Sequence, residues 1–280
     1  MAVRRKKAST PTRRPSFDAA GKVVALFGES PLVEEFAVRC LSKGFEVQIR
    51  FNPSTAGRGG KNGALVPKGA KSVSRPDPAA FIAVELTNLN EEAKRRNLAD
   101  LDRSLKPKTA ILSSSTTVSV AEQLEWVGRP ARLIGIGALP TLLEGSLVEF
   151  APSPLTDEAT LVAAREFAGA LEKEAALVQD SVGLVLPRIL CMLTNEAAFA
   201  LMEGVAGGAD IDTAMKLGTN YPRGPIEWAE RIGPRHVLAV VTALHRHFGE
   251  ERYRVAPLLR RAARYGSFTS HTRTPEGRAS

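Results

Sequence analysis

The chain has 280 residues, 44% of them hydrophobic and 24% charged, with a formal net charge of +8. That length supports two ordinary domains with real cores, and the composition excludes a fibrous or wholly disordered chain. No apolar run approaches the ~18 residues needed to cross a bilayer, so no membrane partner and a cytoplasmic location are expected.

The positive charge is concentrated at the start. Residues 1–20 carry Arg4, Arg5, Lys6, Lys7, Arg13 and Arg14 against Asp18, in a Ser/Thr/Pro-rich setting. Such a stretch cannot bury enough apolar surface to fold, so a disordered basic tail is expected over 1–20. Without interleaved aromatics or an amphipathic period, neither nucleic-acid binding nor an organelle-targeting role is favoured for it.

Short apolar runs then alternate with amphipathic segments. Val23 to Phe27 reads as a buried strand, Leu32 to Lys43 as a helix, and Val47 to Phe51 as a strand. Residues 52–78 are rich in Gly, Lys, Pro and Ser and read as an irregular connection. Phe81 to Glu85 is a strand, and Asn90 can cap the next helix, with Glu91 and Glu92 in its first turn. Ala110 to Leu112 is a strand, after which Ser119 and Glu122 have the spacing of a capping box. Leu133 to Ile136, Leu147 to Phe150 and Ala176 to Val178 are further strands, and Asp157 to Leu171 is a helix. This alternation predicts a mostly parallel sheet wrapped by helices. Cys40 and Cys191 fall within helix-like apolar patterns and read as buried free thiols.

From Pro187 the strand pattern ends. Ile189, Leu190, Leu193, Ala197, Ala200 and Leu201 form one helical stripe, and Val237, Val241, Leu244 and Phe248 form another before Gly249. Between them lies ADIDTAMKLGTNYPRGPIEWAERI, Ala209 to Ile232. It reads as a helix from Ile211 to Leu217 capped by Asp210 and closed by Gly218. A rigid turn follows, then a second helix with Pro225 at its start and Gly233 at its end.

Preceded by NEAAFALMEGVA and followed by HRHFGEERYRVAPLLRRA, this run resembles the C-terminal helical domain of the L-3-hydroxyacyl-CoA dehydrogenase (3-hydroxybutyryl-CoA dehydrogenase) family over roughly residues 180–266. The resemblance implies a Rossmann-like parallel-sheet domain over 21–181, a helical dimerisation or substrate domain over 182–267, and a tail over 268–280. It also implies a homodimer, or a heterodimer with an active paralogue, through the helical domain.

A dinucleotide-binding turn usually reads GxGxxG, with an acid closing the second strand. Here the turn reads Gly28-Glu29-Ser30-Pro31-Leu32-Val33. Only Gly28 remains of the cofactor-binding set. Ser30 and Val33 stand at the other glycine positions, and Pro31 removes one N–H donor. Glu34 and Glu35 add charge that repels phosphate, and Phe51 stands where the family's ribose-binding acid falls. Arg50 beside it could suit a 2′-phosphate. Lys61, Lys68 and Lys71 could meet phosphates, although a solvated basic loop explains them equally well.

Oxidising a 3-hydroxyacyl thioester needs a base, for which the family uses a His oriented by a Glu, with a Ser and an Asn on the substrate. Aligned on RLIGIG, the His position is Gly137 and the partner acid is Glu149. The Ser position is Thr116, and the Asn position is Pro187. The chain's histidines are His236, His245, His247 and His271, and His245 and His247 face different sides of a helix. No metal site is expected. The expectation is a degenerate family member in acyl-CoA and fatty-acid metabolism, a pseudoenzyme that dimerises or binds acyl-CoA, with no cofactor. NAD is expected only in the alternative, an active NAD-dependent 3-hydroxyacyl-CoA dehydrogenase with an atypical site.

Overall fold

A computed structural model describes residues 17–53 and 65–268. The expectations for residues 1–16, Lys61, His271 and the rest of the C-terminal tail lie outside the described residues.

The first half alternates as expected. Strand β1 (Val23–Gly28) leads through helix α1 (Leu32–Ser42) to β2 (Glu46–Phe51), and β3 (Ala70–Ser72) follows. Next come β4 (Ile82–Leu86), α2 (Glu91–Ser104), β5 (Ala110–Ser114), α3 (Val120–Leu124), β6 (Leu133–Ile136), β7 (Leu147–Pro152), α4 (Glu158–Ala170) and β8 (Glu174–Leu177). The sheet order is β3-β2-β1-β4-β5-β6-β7-β8, parallel except for the β6–β7 pair. Its direction reverses between β1 and β4, where open α/β sheets place their ligands.

Local chemistry fixes several of these boundaries. The Asn90 side chain accepts the Ala93 N–H, and Ser119 and Glu122 form the expected capping box. Asp157 caps α4 from just outside it. Leu26, Ile49, Phe150 and Phe167 are fully buried in one sheet–helix layer, each worth about 1.5–3 kcal/mol of burial. Cys40 and Cys191 are both free and buried.

Three expectations need correction in this half. The connection after β2 is not wholly irregular, because β3 pairs in parallel with β2. The basic tail does not extend to residue 20. Phe17 packs 5.0 Å from the Phe81 ring and Ala19 is buried, so the N-terminal segment closes the bottom of the core. The last strand runs from Glu174, two residues earlier than Ala176.

The second half is helical: α5 (Leu186–Met202), α6 (Gly208–Thr219), α7 (Pro225–Ile232), α8 (Pro234–Phe248) and α9 (Pro257–Tyr265). Proline stands in the first turn of α5, α7, α8 and α9, where its missing N–H costs nothing. The two halves interlock, since Leu139 and Val182 belong to the helical core.

The signature stretch departs from expectation at both ends of α6. The cap is Gly207, not Asp210, and Gly218 lies inside the helix while Asn220 takes the left-handed position with φ 56°. Asn is among the few side-chain-bearing residues that reach this region cheaply. The N-terminus of α7 is capped from a distance, because the Asp212 carboxylate accepts the N–H of Ile226 at 2.8 Å and of Glu227 at 3.0 Å. A side chain at Gly224 would meet that carboxylate, with a Cβ falling 2.2 Å from Asp212 Oδ1. Phe268 is also buried and its N–H donates to Glu230, so the helical fold extends one residue into the expected tail.

Candidate active site

At the reversal point the strands end close together. A Cβ on Gly28 would fall 2.5 Å from the Leu86 carbonyl oxygen, so glycine is required here by the neighbouring strand itself. Ser30 is exposed, its hydroxyl donating to Glu34 at 2.7 Å. Val33 is fully buried in the α1–sheet layer. Phe51 is half-buried against the same core. Glu35 accepts the Thr141 N–H at 2.9 Å, and burial pushes its carboxyl above the usual range.

The crevice between β1 and β4 is occupied by the chain's own side chains. Glu29 accepts the backbone N–H of Asn88 at 3.0 Å and of Leu89 at 3.2 Å. Its carboxyl is pushed up to about 7 by burial, against the pull of those two hydrogen bonds. Asn88 is a hub: its Oδ1 accepts the hydroxyls of Ser114 and Thr116, each at 2.6 Å, and its Nδ2 donates to the Ala138 carbonyl at 2.8 Å. Thr116, expected at the family's substrate-contacting Ser position, is fully buried with its hydroxyl spent on this bond.

On the α2 side, Asn97 donates to Asn52, Glu85 and Thr87, and Lys94 forms a fully buried ion pair with Glu85. Arg50, weighed above for a 2′-phosphate, is committed here. Its guanidinium lies 4.0 Å over the Phe27 ring and bonds Asp100, Asn97 and the Ser74 carbonyl. Lys71 lies 3.6 Å from Glu46.

Of the four positions expected to carry catalysis, Gly137, Glu149 and Pro187 line one small cavity, while Thr116 belongs to the Asn88 network. The Gly137 N–H donates to the Glu149 carbonyl at 3.0 Å, and a Cβ at 137 would lie 3.3 Å from Glu149 Oε2. Pro187 is buried nearby in the first turn of α5. What remains between them is a cavity of about 10 Å³ walled by Phe36, Leu139, Leu143, Leu186 and Pro187, room for one water at most. Glu149 orients no imidazole. Its two oxygens accept the N–H of Val185 at 3.1 Å and of Leu186 at 2.8 Å, capping α5. Among the described histidines, His245 sits beside the Glu250 carbonyl, His247 against Phe248, and His236 3.6 Å from Glu29.

Glu29, Asn88 and His236 carry no sequence signal as site residues. Each belongs to an ordinary turn or cap pattern, and only the strand order brings them together.

The sequence also matches known domains. Residues 72–181 match the 3-hydroxyacyl-CoA dehydrogenase NAD binding domain, and residues 183–275 match the 3-hydroxyacyl-CoA dehydrogenase C-terminal domain. The turn after Gly28 lies outside both stretches. A 3-hydroxybutyryl-CoA dehydrogenase from Bradyrhizobium diazoefficiens is 35% identical over 64% of this chain and 61% of its own length. A probable 3-hydroxybutyryl-CoA dehydrogenase from Bacillus subtilis is 34% identical over 67% and 65%. The alignments therefore span a little under two thirds of these relatives. Among solved structures, the (S)-3-hydroxybutyryl-CoA dehydrogenase PaaH1 from Ralstonia eutropha superposes with a TM-score of 0.71 at 27% identity, covering 89% of this chain and 96% of that one. FadB2 of M. tuberculosis shares the fold, with a TM-score of 0.74 at 20% identity over 88% and 94%. With a parallel-sheet domain and a helical domain each matching its counterpart, the chain belongs to the 3-hydroxyacyl-CoA dehydrogenase family.

Proposed function

We propose that this chain keeps the family fold without hydride transfer, and acts as a dimerising subunit, either with itself or with an active paralogue. One observation carries the reading: the place of the catalytic base is a glycine facing a cavity of about 10 Å³, beside a glutamate whose carboxylate is used up capping a helix. General acid–base catalysis is worth about 10²–10⁴ in rate, and no imidazole stands there to supply it. The crevice residues do not suit a dinucleotide either. Glu29 sets its carboxyl group across it, Phe51 offers no acceptor for ribose hydroxyls, and the turn has only one of the three usual glycines.

The dimerisation reading rests on an unpartnered apolar face. Ile189, Met202, Val205, Leu217 and Tyr221 on and around α5 and α6 are all exposed. Acyl-CoA binding without turnover belongs to the same proposal.

The relatives support a second reading, and they speak for it more directly than for the first. Proteins 34–35% identical to this chain are named 3-hydroxybutyryl-CoA dehydrogenases. On that reading the chain is an NAD-dependent 3-hydroxyacyl-CoA dehydrogenase with an atypical site.

The deciding experiment is a fluorescence titration of the purified chain with NADH, followed by an assay of acetoacetyl-CoA reduction. The first reading expects neither saturation in the micromolar range nor turnover. Saturable binding with turnover establishes the second.

A further inference from the structure

Glu29 and His236 come from different domains. Glu29 follows β1 in the first βα turn, and His236 lies in the first turn of α8. Their side chains are 11% and 6% exposed, and Glu29 Oε1 stands 3.6 Å from His236 Nδ1. That nitrogen is buried with no hydrogen-bond partner. A buried unpaired polar atom is costly, so an unpaired imidazole nitrogen facing a buried carboxyl calls for an explanation.

We propose that Glu29 and His236 hold one proton between the two domains and act as a pH-operated latch over the crevice between β1 and β4.

The chemistry follows from who can donate. With one proton on the carboxyl, its O–H points at the free Nδ1 lone pair of a neutral imidazole, and a closure of about half an ångström makes a normal hydrogen bond. No net charge is then buried. The latch requires the ring proton to sit on Nε2. Without the carboxyl proton, a carboxylate oxygen and the Nδ1 lone pair then face each other across the domain boundary and the contact loosens, whereas an Nδ1–H tautomer would donate to the carboxylate and keep it closed. The other carboxylate bonds, to the N–H of Asn88 and Leu89, survive in either state.

The surrounding charges set where the proton sits. Burial raises the Glu29 carboxyl to about 7, helped by Glu85 on β4 and opposed by Lys94 on α2. Burial and the neighbouring Arg235 lower His236 to about 4. The proton therefore resides on the carboxyl and leaves it close to neutral pH. The latch is independent of whether the crevice takes a dinucleotide.

The test is hydrogen-exchange mass spectrometry on the full chain at pH 6 and pH 8, corrected for intrinsic exchange rates. Segments 86–90 and 233–238 should exchange about tenfold faster at pH 8, following the loss of the protonated form around a midpoint near 7. Glu29→Gln, whose amide N–H can donate to Nδ1 at any pH but whose nitrogen no longer accepts the Asn88 N–H, should show no difference in exchange between the two pH values. His236→Phe, which lacks the acceptor, should exchange fast at both. Equal protection of the wild type at the two pH values overturns the latch, and so does a pH step that persists in Glu29→Gln. If His236→Phe does not fold, the Glu29→Gln comparison decides alone.

Discussion

Glu149 accepts the Leu186 N–H at 2.8 Å, tying a strand of the first domain to the first helix of the second. A carboxylate at a helix N-terminus satisfies orphan N–H groups and meets the positive end of the helix dipole. Glu149 is only 5% exposed, and its loss leaves two part-buried N–H donors without their acceptor. Glu149→Ala should therefore cost about 2–4 kcal/mol of stability, the sum of a lost cap and unsatisfied N–H groups. Urea denaturation checks this. A loss below half a kcal/mol would mean the cap contributes little.

On the reading without hydride transfer, a histidine placed at residue 137 should not supply chemistry. A side chain at Gly137 starts 3.3 Å from Glu149 Oε2 and must enter a cavity of about 10 Å³. Gly137→His should lose about 1–3 kcal/mol by overpacking and gain no acetoacetyl-CoA reductase activity. Measurable turnover from this single change would show that the site opens readily.

The buried pair of Lys94 and Glu85 gives a sharper stability test. Both side chains are essentially inaccessible, and the pair is also bonded to Thr87, Asn97 and Ser113. Lys94→Met leaves the Glu85 charge without its counterion and should cost about 3–5 kcal/mol. Adding Glu85→Gln to that variant should return part of the loss, as a double-mutant cycle would reveal.

Stability should also depend on pH through Glu29. Its folded value, about 7, lies above the ordinary 4.5, so the folded state binds the proton more tightly. The stabilisation is complete below 4.5 and is lost as pH rises through about 7. His236 works in the opposite sense. Its value falls from 6.5 to about 4, so stability rises with pH across that interval. The two slopes oppose each other below 6.5, and the Glu29 loss stands alone just above it. Glu29→Gln should therefore gain on the wild type by about 1–3 kcal/mol between pH 5 and pH 8 in parallel urea titrations. An unchanged difference across that range would contradict the assignment.

Much of the fold was legible because local rules and global packing agree. Asn90, Ser119 and Asp157 announce their helices by capping chemistry, and Gly233 and Gly249 close theirs. Edges were harder to read. The strand β3 has three residues without an apolar alternation, and it exists only because β2 offers a free edge. Asp210 looked like a cap because caps are read from residue type, whereas Gly207 takes the role by backbone conformation. At the site, the substitutions at Gly137, Pro187 and Phe51 were visible in the sequence. What occupies the crevice was not: Glu29 and Asn88 lie 59 positions apart and meet only through the reversal in strand order.

The contact between Asp212 and Gly224 gives the signature stretch a different meaning. The carboxylate that caps α7 occupies the volume a side chain at residue 224 would need. A relative that puts a side chain at residue 224 must therefore change or move the residue at 212. Neither touches the place of the catalytic base. The most recognisable segment of the chain is thus an assembly instruction for two helices, written independently of whatever chemistry the crevice performs.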